Sequence, residues 1–230
     1  MTNVARKGMK FEKAVAFQMN NYFVNNLLEN VAHAEGGAGK GSDVVITGPG
    51  GDMVHSYEVK TSKGSRVDFG QFRISYDEEK GWQQATGLKS ETQIQVFNHI
   101  KEDLDQKVSG MMPQGPKLTT PDVHAFWNAS TAQRGSRSIC TDVIRVDIPK
   151  YFIEKYYRDK GDSFIILGDN VYSLGGDKVQ SLSEALDECY ALFRIKYHKK
   201  GDYSYTVTLR GKFLKDSKSG FHDAMNKIYS

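Results

Sequence analysis

Only two cysteines, Cys140 and Cys189, occur in 230 residues, and they lie far apart in sequence. A disulfide framework and a Cys-x-x-Cys metal or redox motif are both excluded, which points to a reducing cytoplasm. The six histidines are scattered, with no His-x-x-x-His pair. No G-x-S-x-G segment is present, so the serine-hydrolase elbow is missing. No run approaches the roughly 18 apolar residues of a membrane span, and the opening MTNVARKGMKFEKA lacks an apolar signal-peptide core. The net charge of +3 is too small to argue for or against a nucleic-acid partner, so a basic face has to be sought locally. Proline is scarce, at five, and Pro113, Pro116 and Pro121 fall together in the loop-like stretch SGMMPQGPKLTTPD.

What is present is ample core material. Hydrophobic residues make up 39% of the chain, with twelve Phe and twelve Tyr. The length suits one large domain, or one domain with a sizeable insertion. Periodicity predicts a helix over Lys10–Glu29, in which Glu12, Ala16, Met19, Phe23 and Leu27 share a stripe. It predicts strands over Asp43–Thr47, Val54–Lys60 and Asp68–Tyr76. A second helix is predicted over Glu91–Val108, with Ile94, Phe97, Leu104 and Val108 near one face. Strands are expected at Val123–Asn128 and Asp142–Ile148, and a short helix at Tyr151–Arg158. Phe164–Leu167 and Val171–Leu174 read as a hairpin around Gly168-Asp169-Asn170. Ser183–Tyr190 reads as a Ser-capped helix, and Leu192–His198 with Tyr203–Phe213 as a final hairpin. The fold class is therefore mixed, α/β or α+β.

The segment GGAGKGSDVVITGPGGDMVHSYEVKTS starts like a phosphate-binding loop. A P-loop needs G-x-x-x-x-G-K followed by Ser or Thr and then a helix. Here Gly41 follows Gly39-Lys40, Ala34 stands five residues before Gly39, and a strand comes next. The nucleotide reading fails on all three points.

The same segment reads better as a cation site. In a strand, alternate residues share a face, so Glu58 and Lys60 point to one side and Tyr57 and Val59 to the other. If the hairpin is symmetric about Gly50-Gly51, Thr47 faces Val54 and Asp43 faces Glu58. Directly opposed Cβ atoms lie about 4.5–5.5 Å apart, and like charges there repel. A divalent cation between them turns that cost into binding, and hard oxygen ligands suit magnesium, with manganese as the alternative. Lys60 can orient an attacking water or neutralise charge on a phosphate. Glu12, heading its apolar stripe, is expected to point toward the sheet edge and join the site. An acid in the first turn of a helix also has the plainer role of favouring the helix dipole.

Asp43, the fourteen residues that follow it, then Glu58-Val59-Lys60, with Glu12 on the preceding helix, resemble the PD-(D/E)XK nuclease superfamily. The resemblance covers roughly the first 110 residues. Ser42 stands where that superfamily often has proline. The resemblance implies a restriction-endonuclease-like core, a mixed β-sheet flanked by helices, over residues 1–110. Residues 111–230 would continue the same domain as a β-rich region for DNA recognition and dimerisation. It implies that Asp43, Glu58, the Val59 carbonyl and Glu12 hold magnesium or manganese, and that Lys60 positions the nucleophile. Gln71, on the following strand with Arg73 and Ser75 on its face, would line the site, and Ser62 and Lys63 would touch backbone phosphate.

Two further stretches are candidates for nucleic-acid contact. In the final hairpin, Arg194 and Lys196 alternate with apolar residues, and Ser204, Thr206, Thr208 and Arg210 do so on the return strand; a solvated sheet face gives the same pattern. The polar loop NASTAQRGSRS carries Arg134 and Arg137, and arginine can read guanine. The expected function is a magnesium-dependent DNA endonuclease of the restriction type, acting on double-stranded DNA as a homodimer. A branched-DNA resolvase or repair nuclease, an RNA nuclease, and a non-catalytic nucleic-acid-binding protein of the same fold stay open.

Overall fold

Helix α1 (Asn3–Asn25) buries Val15, Ala16, Met19, Tyr22 and Phe23, residues three and four apart that form one apolar stripe. The computed structural model describes residues 3–35, 41–61, 65–84, 90–108, 118–129, 138–176, 178–198, 201–215 and 220–230. The stripe does not extend to Leu27 as expected. The helix closes in a Schellman turn, in which the Leu28 N–H donates to the Phe23 carbonyl (2.9 Å) and the Leu27 N–H to the Val24 carbonyl (3.2 Å). Leu27 takes the left-handed position of that turn, at φ +55°, and is 92% exposed. A side chain there costs about 1–2 kcal/mol relative to glycine and, exposed, gains little in return. Leu27→Gly is therefore expected to stabilise the chain by about 1 kcal/mol, visible in thermal denaturation as a midpoint about 2–4 °C higher.

The chain divides into two compact units, each assembled from separate segments. The first comprises Met1–Arg66, Ile153–Asp187 and Lys212–Ser230. Its five-stranded sheet runs in the order β1 (Val31–Ala34), β2 (Val44–Thr47), β3 (Met53–Lys60), β7 (Phe164–Leu167), β8 (Asn170–Ser173). Neighbours are antiparallel except β3 and β7, which are parallel, with Tyr57 beside Phe164 and Glu58 beside Ile165. β7 reads FIIL and is buried throughout, as a strand covered on both faces must be. The sheet that carries Glu58 and Lys60 is thus not complete at residue 110. One of its faces, with Val44, Ile46, Tyr57, Val59, Phe164 and Ile166, packs against α1 and against α6 (Phe221–Tyr229), which supplies Phe221, Ala224, Met225 and Ile228. β1 and α6 are elements that the sequence periodicity did not predict.

The β2–β3 hairpin departs from symmetry at its turn. Val44 faces Tyr57 and Ile46 faces His55, but the register then slips and Thr47 faces Met53, not Val54. The turn spans Gly48 to Asp52, closed by the Gly48 N–H on the Asp52 carbonyl, with Gly51 at φ +82°. Because the slip sits beside the turn, the pairing toward Asp43 is unaffected.

The second unit comprises Val67–Phe152 and Glu188–Gly211. Its sheet runs β5 (Gly81–Gln84), β4 (Arg66–Asp77), β10 (Tyr203–Phe213), β9 (Leu186–His198), β6 (Ser138–Asp147). Trp82 is fully buried, with Phe193, Tyr205 and Tyr76 at ring-centroid distances of 5.0, 4.9 and 5.1 Å. Helix α2 (Glu91–Asp103) continues as a π-turn over Leu104–Val108 and buries Val96, Phe97, Ile100, Leu104 and Val108. Ile94, expected on that face, is exposed.

Three further expectations are corrected. Val123–Asn128 is not a strand but part of α3 (Thr120–Ala129). Thr119 and Asp122 form a capping box, with the Thr119 N–H on Asp122 Oδ2 (2.9 Å) and the Asp122 N–H on Thr119 Oγ1 (3.4 Å), and this local signal opens a helix. The helix expected over Ser183–Tyr190 is a single turn, α5 (Leu182–Ala185), capped by Ser181 and Glu184; strand pairing takes over from Leu186. In the final hairpin Thr206 and Thr208 are buried, so those hydroxyls do not belong to a solvated face.

Candidate active site

Asp43 stands immediately before β2. Its N–H donates to the Tyr57 carbonyl (3.0 Å), and its Oδ2 accepts from the Val59 N–H (2.9 Å). These two bonds bracket Glu58 and set the two carboxylates side by side at the open end of the hairpin. Glu58 is only 4% exposed. Its Oε1 lies 2.5 Å from Lys60 Nζ, two residues along the same face of β3. The Ser56 and Lys60 carbonyls accept from the Ser163 and Gly168 N–H groups, on the β7 side. Val59 is turned the other way by its bond to Asp43, so its carbonyl is also directed to the Asp43 side.

Glu12 reaches the same locality from α1. Burial raises its pKa above the ordinary carboxylate value, and the nearby Asp43 and Glu58 charges raise it further, against Lys60. Asp43 is raised for the same reasons, burial first and Glu58 second, with the Val59 N–H, Lys60 and Lys160 holding it back. Hydrogen bonds and an ion pair thus join Asp43, Glu58, Val59 and Lys60, and Glu12 lies within their electrostatic field.

It also brings in residues that sequence reasoning missed. Helix α4 (Tyr151–Arg158) ends in a Lys160-Gly161-Asp162 turn that leads into β7. The Lys160 and Asp162 N–H groups both donate to the Tyr157 carbonyl (2.9 and 3.1 Å), and Gly161 sits at φ +93°. Ser56 of β3 clamps the turn, donating through Oγ to the Gly161 carbonyl (2.6 Å) and accepting the Ser163 N–H (3.0 Å). Lys160 Nζ is thereby placed 2.6 Å from Glu58 Oε2. The buried Tyr157 ring lies 5.7 Å from Lys60 Nζ and 5.1 Å from Lys160 Nζ, within the range of cation–π attraction. Burial alone would lower the Lys160 pKa; Glu58 first, then the Asp162 charge, more than compensate, and it stands above the ordinary lysine value.

Asp162 is 3% exposed, and neither of its oxygens has a hydrogen-bond partner among the described residues. Burial lifts its pKa to about 6, with the Glu58 and Asp43 charges adding to the rise; the adjacent Ser42 hydroxyl, short of normal hydrogen-bond geometry, and the Lys160 charge offset part of it. The sign follows from linkage. Below pH ~4, folded and unfolded chains are both protonated at this group. Between there and about pH 6 the folded chain retains a proton that the unfolded chain releases, so this group makes stability fall as pH rises. Above pH 6 the whole cost is present. Asp162→Asn is expected to flatten this slope and to raise stability at pH 7–8 by about 1–3 kcal/mol, measured by guanidinium denaturation at pH 4, 5, 6 and 7.5.

Could this set hold a cation? Two carboxylates and a backbone carbonyl suit magnesium, which keeps several of its waters and needs no all-protein cage. Among the described residues no group of three or more His, Cys, Asp or Glu side chains converges as a preformed metal site. Glu58 already has an ammonium group on each oxygen, so a cation on it must displace at least one lysine.

The remaining candidates lie elsewhere. Gln71 and Arg73 are exposed on β4, in the second unit's sheet. The strand beside β3 is β7, so Gln71 is not on the next strand of the Asp43–Glu58 sheet. Arg194 is engaged by Asp142 (2.7 Å) and Arg210 by Asp68 (2.5 Å), so this basic face carries its own counter-ions. Lys196, on the same strand as Arg194, is partly exposed. Ser62, Lys63, Arg134 and Arg137 lie outside the described residues. No helix among the described residues is long and apolar enough to cross a membrane. Compared with protein-family models, curated proteins and solved structures, the chain matches none.

Proposed function

We propose that this chain is a metal-dependent nuclease of the PD-(D/E)XK type that hydrolyses phosphodiester bonds in DNA, as a restriction-type endonuclease. The observation that carries the reading is the convergence of Asp43, Glu58 and Lys60 at one end of a hairpin, with Glu58 buried and Asp43 fixed by the Val59 N–H. The order helix, hairpin with Asp and Glu-x-Lys, further strands agrees with it. Asp43, Glu58 and the Val59 carbonyl would hold magnesium or manganese. Such an ion lowers the pKa of water and neutralises charge on a transferring phosphoryl group. Lys60 orients the attacking water and meets the phosphate charge. Glu12, within the field of Asp43 and Glu58, would hold water or a second cation. Cutting both strands of a duplex calls for two such sites, which a two-fold homodimer supplies.

The test is cleavage of supercoiled and linear DNA with magnesium, beside Asp43→Ala and Lys60→Ala. Discrete fragments lost in both variants support the reading. Selective cutting of branched DNA moves it to a resolvase or repair nuclease, and selective cutting of RNA moves it to a ribonuclease. Binding of DNA without cleavage of any substrate overturns it in favour of a non-catalytic protein.

A further inference from the structure

Among the described residues, three carboxylates (Glu12, Asp43 and Asp162) act electrostatically on a fourth, Glu58, which is ion-paired with two ammonium groups, Lys60 and Lys160. The excess is two negative charges, which one divalent cation would neutralise. The charge is unevenly distributed. Glu58 has a lysine on each oxygen, whereas Asp162, equally buried, has no hydrogen-bond partner on either. A buried carboxylate without a direct hydrogen-bond partner is unfavourable, and the Ser56 clamp holds it in place regardless.

We propose that Lys160 and Asp162 are a positioning pair: Lys160 occupies Glu58 while the site is free of metal and transfers to Asp162 when a divalent cation takes the Glu58 oxygen. This inference rests on the nuclease reading of the same site. The two residues belong to one turn, two positions apart, and the Lys160 charge already acts on both Glu58 and Asp162. Lys60, on the other oxygen of Glu58, remains for the water and the phosphate. Asp162 already feels the Lys160 charge and gains it as a direct ion-pair partner in the metal-loaded state, which lowers the cost of removing Lys160 from Glu58.

The experiment is calorimetric titration of the whole chain with manganese chloride, without DNA, for wild type, Lys160→Met, Asp162→Asn and the double variant. Lys160→Met is expected to bind manganese about tenfold more tightly, one competing ammonium having been removed. Asp162→Asn is expected to weaken binding in the presence of Lys160 and to have little effect in its absence, a coupling of at least about fivefold. A carboxylate acting as a direct ligand, or only through its field, weakens binding equally in both backgrounds, and that result overturns the proposal. So does unchanged affinity in Lys160→Met. If Lys160→Met does not fold, as read by circular dichroism, Lys160→Gln carries the same cycle. Failure of the wild type to bind manganese or magnesium sinks the metal-dependent reading itself, which separates the two failures.

Discussion

Exchanging Lys60 for methionine is expected to slow magnesium-dependent DNA cleavage by about 10²–10⁴-fold while the chain stays folded. Lys60 is partly exposed, and Glu58 keeps Lys160 on its other oxygen, so the variant leaves no wholly unpaired buried charge. The loss falls on the chemical step, because the ammonium group acts on the attacking water and the phosphate. Single-turnover cleavage of a plasmid, with circular dichroism as the check on folding, measures it. Asp43→Asn tests the carboxylate side. It keeps the side-chain oxygen that receives the Val59 N–H and removes the charge that would hold the metal. Cleavage at the wild-type rate in either variant would place the chemistry elsewhere.

The largest stability effect is expected at Phe23. Its ring has no exposed surface, sits in the α1–sheet–α6 core, and meets Tyr229 edge-on at 4.9 Å. Phe23→Ala removes that contact and leaves a cavity in a close-packed interior, costing about 3–5 kcal/mol. Against a total stability of about 5–15 kcal/mol for a typical domain, that is a large fraction. Guanidinium denaturation is expected to show the midpoint well below wild type with the slope unchanged. A loss under about 1 kcal/mol would mean that the α1–α6 packing collapses around the gap.

Asp43, Glu58 and Lys60 were legible in the sequence because a single hairpin assembles them. A glycine turn, period-two alternation and antiparallel pairing are local, and the slip beside Gly48 lies too far from Asp43 to disturb the outcome. Glu12 was legible as the head of a 3.6-period stripe whose core-facing residues are indeed buried. Leu27 was misread because a Schellman turn ends the helix two residues before it. Val123–Asn128 was misread as a strand because the Thr119–Asp122 cap that opens a helix ahead of it went unrecognised.

Lys160 and Asp162 had no such signal. They reach Glu58 only because β7 pairs in parallel with β3, and parallel strands need a long crossover. In this chain the crossover holds most of a second unit and α4. The fully apolar FIIL run marks β7 as a central strand, and the glycine before it marks a tight turn, but neither names β3 as the partner. By itself the sequence determined the mixed α/β class, most strand positions and the Asp–Glu–Lys hairpin, because short-range periodicity and turn chemistry decide those. Only the tertiary structure decided that Gln71 belongs to another sheet, that Arg194 and Arg210 are already paired, and that a second lysine closes on Glu58. Those facts depend on strand order, and strand order is set by burial across the whole chain.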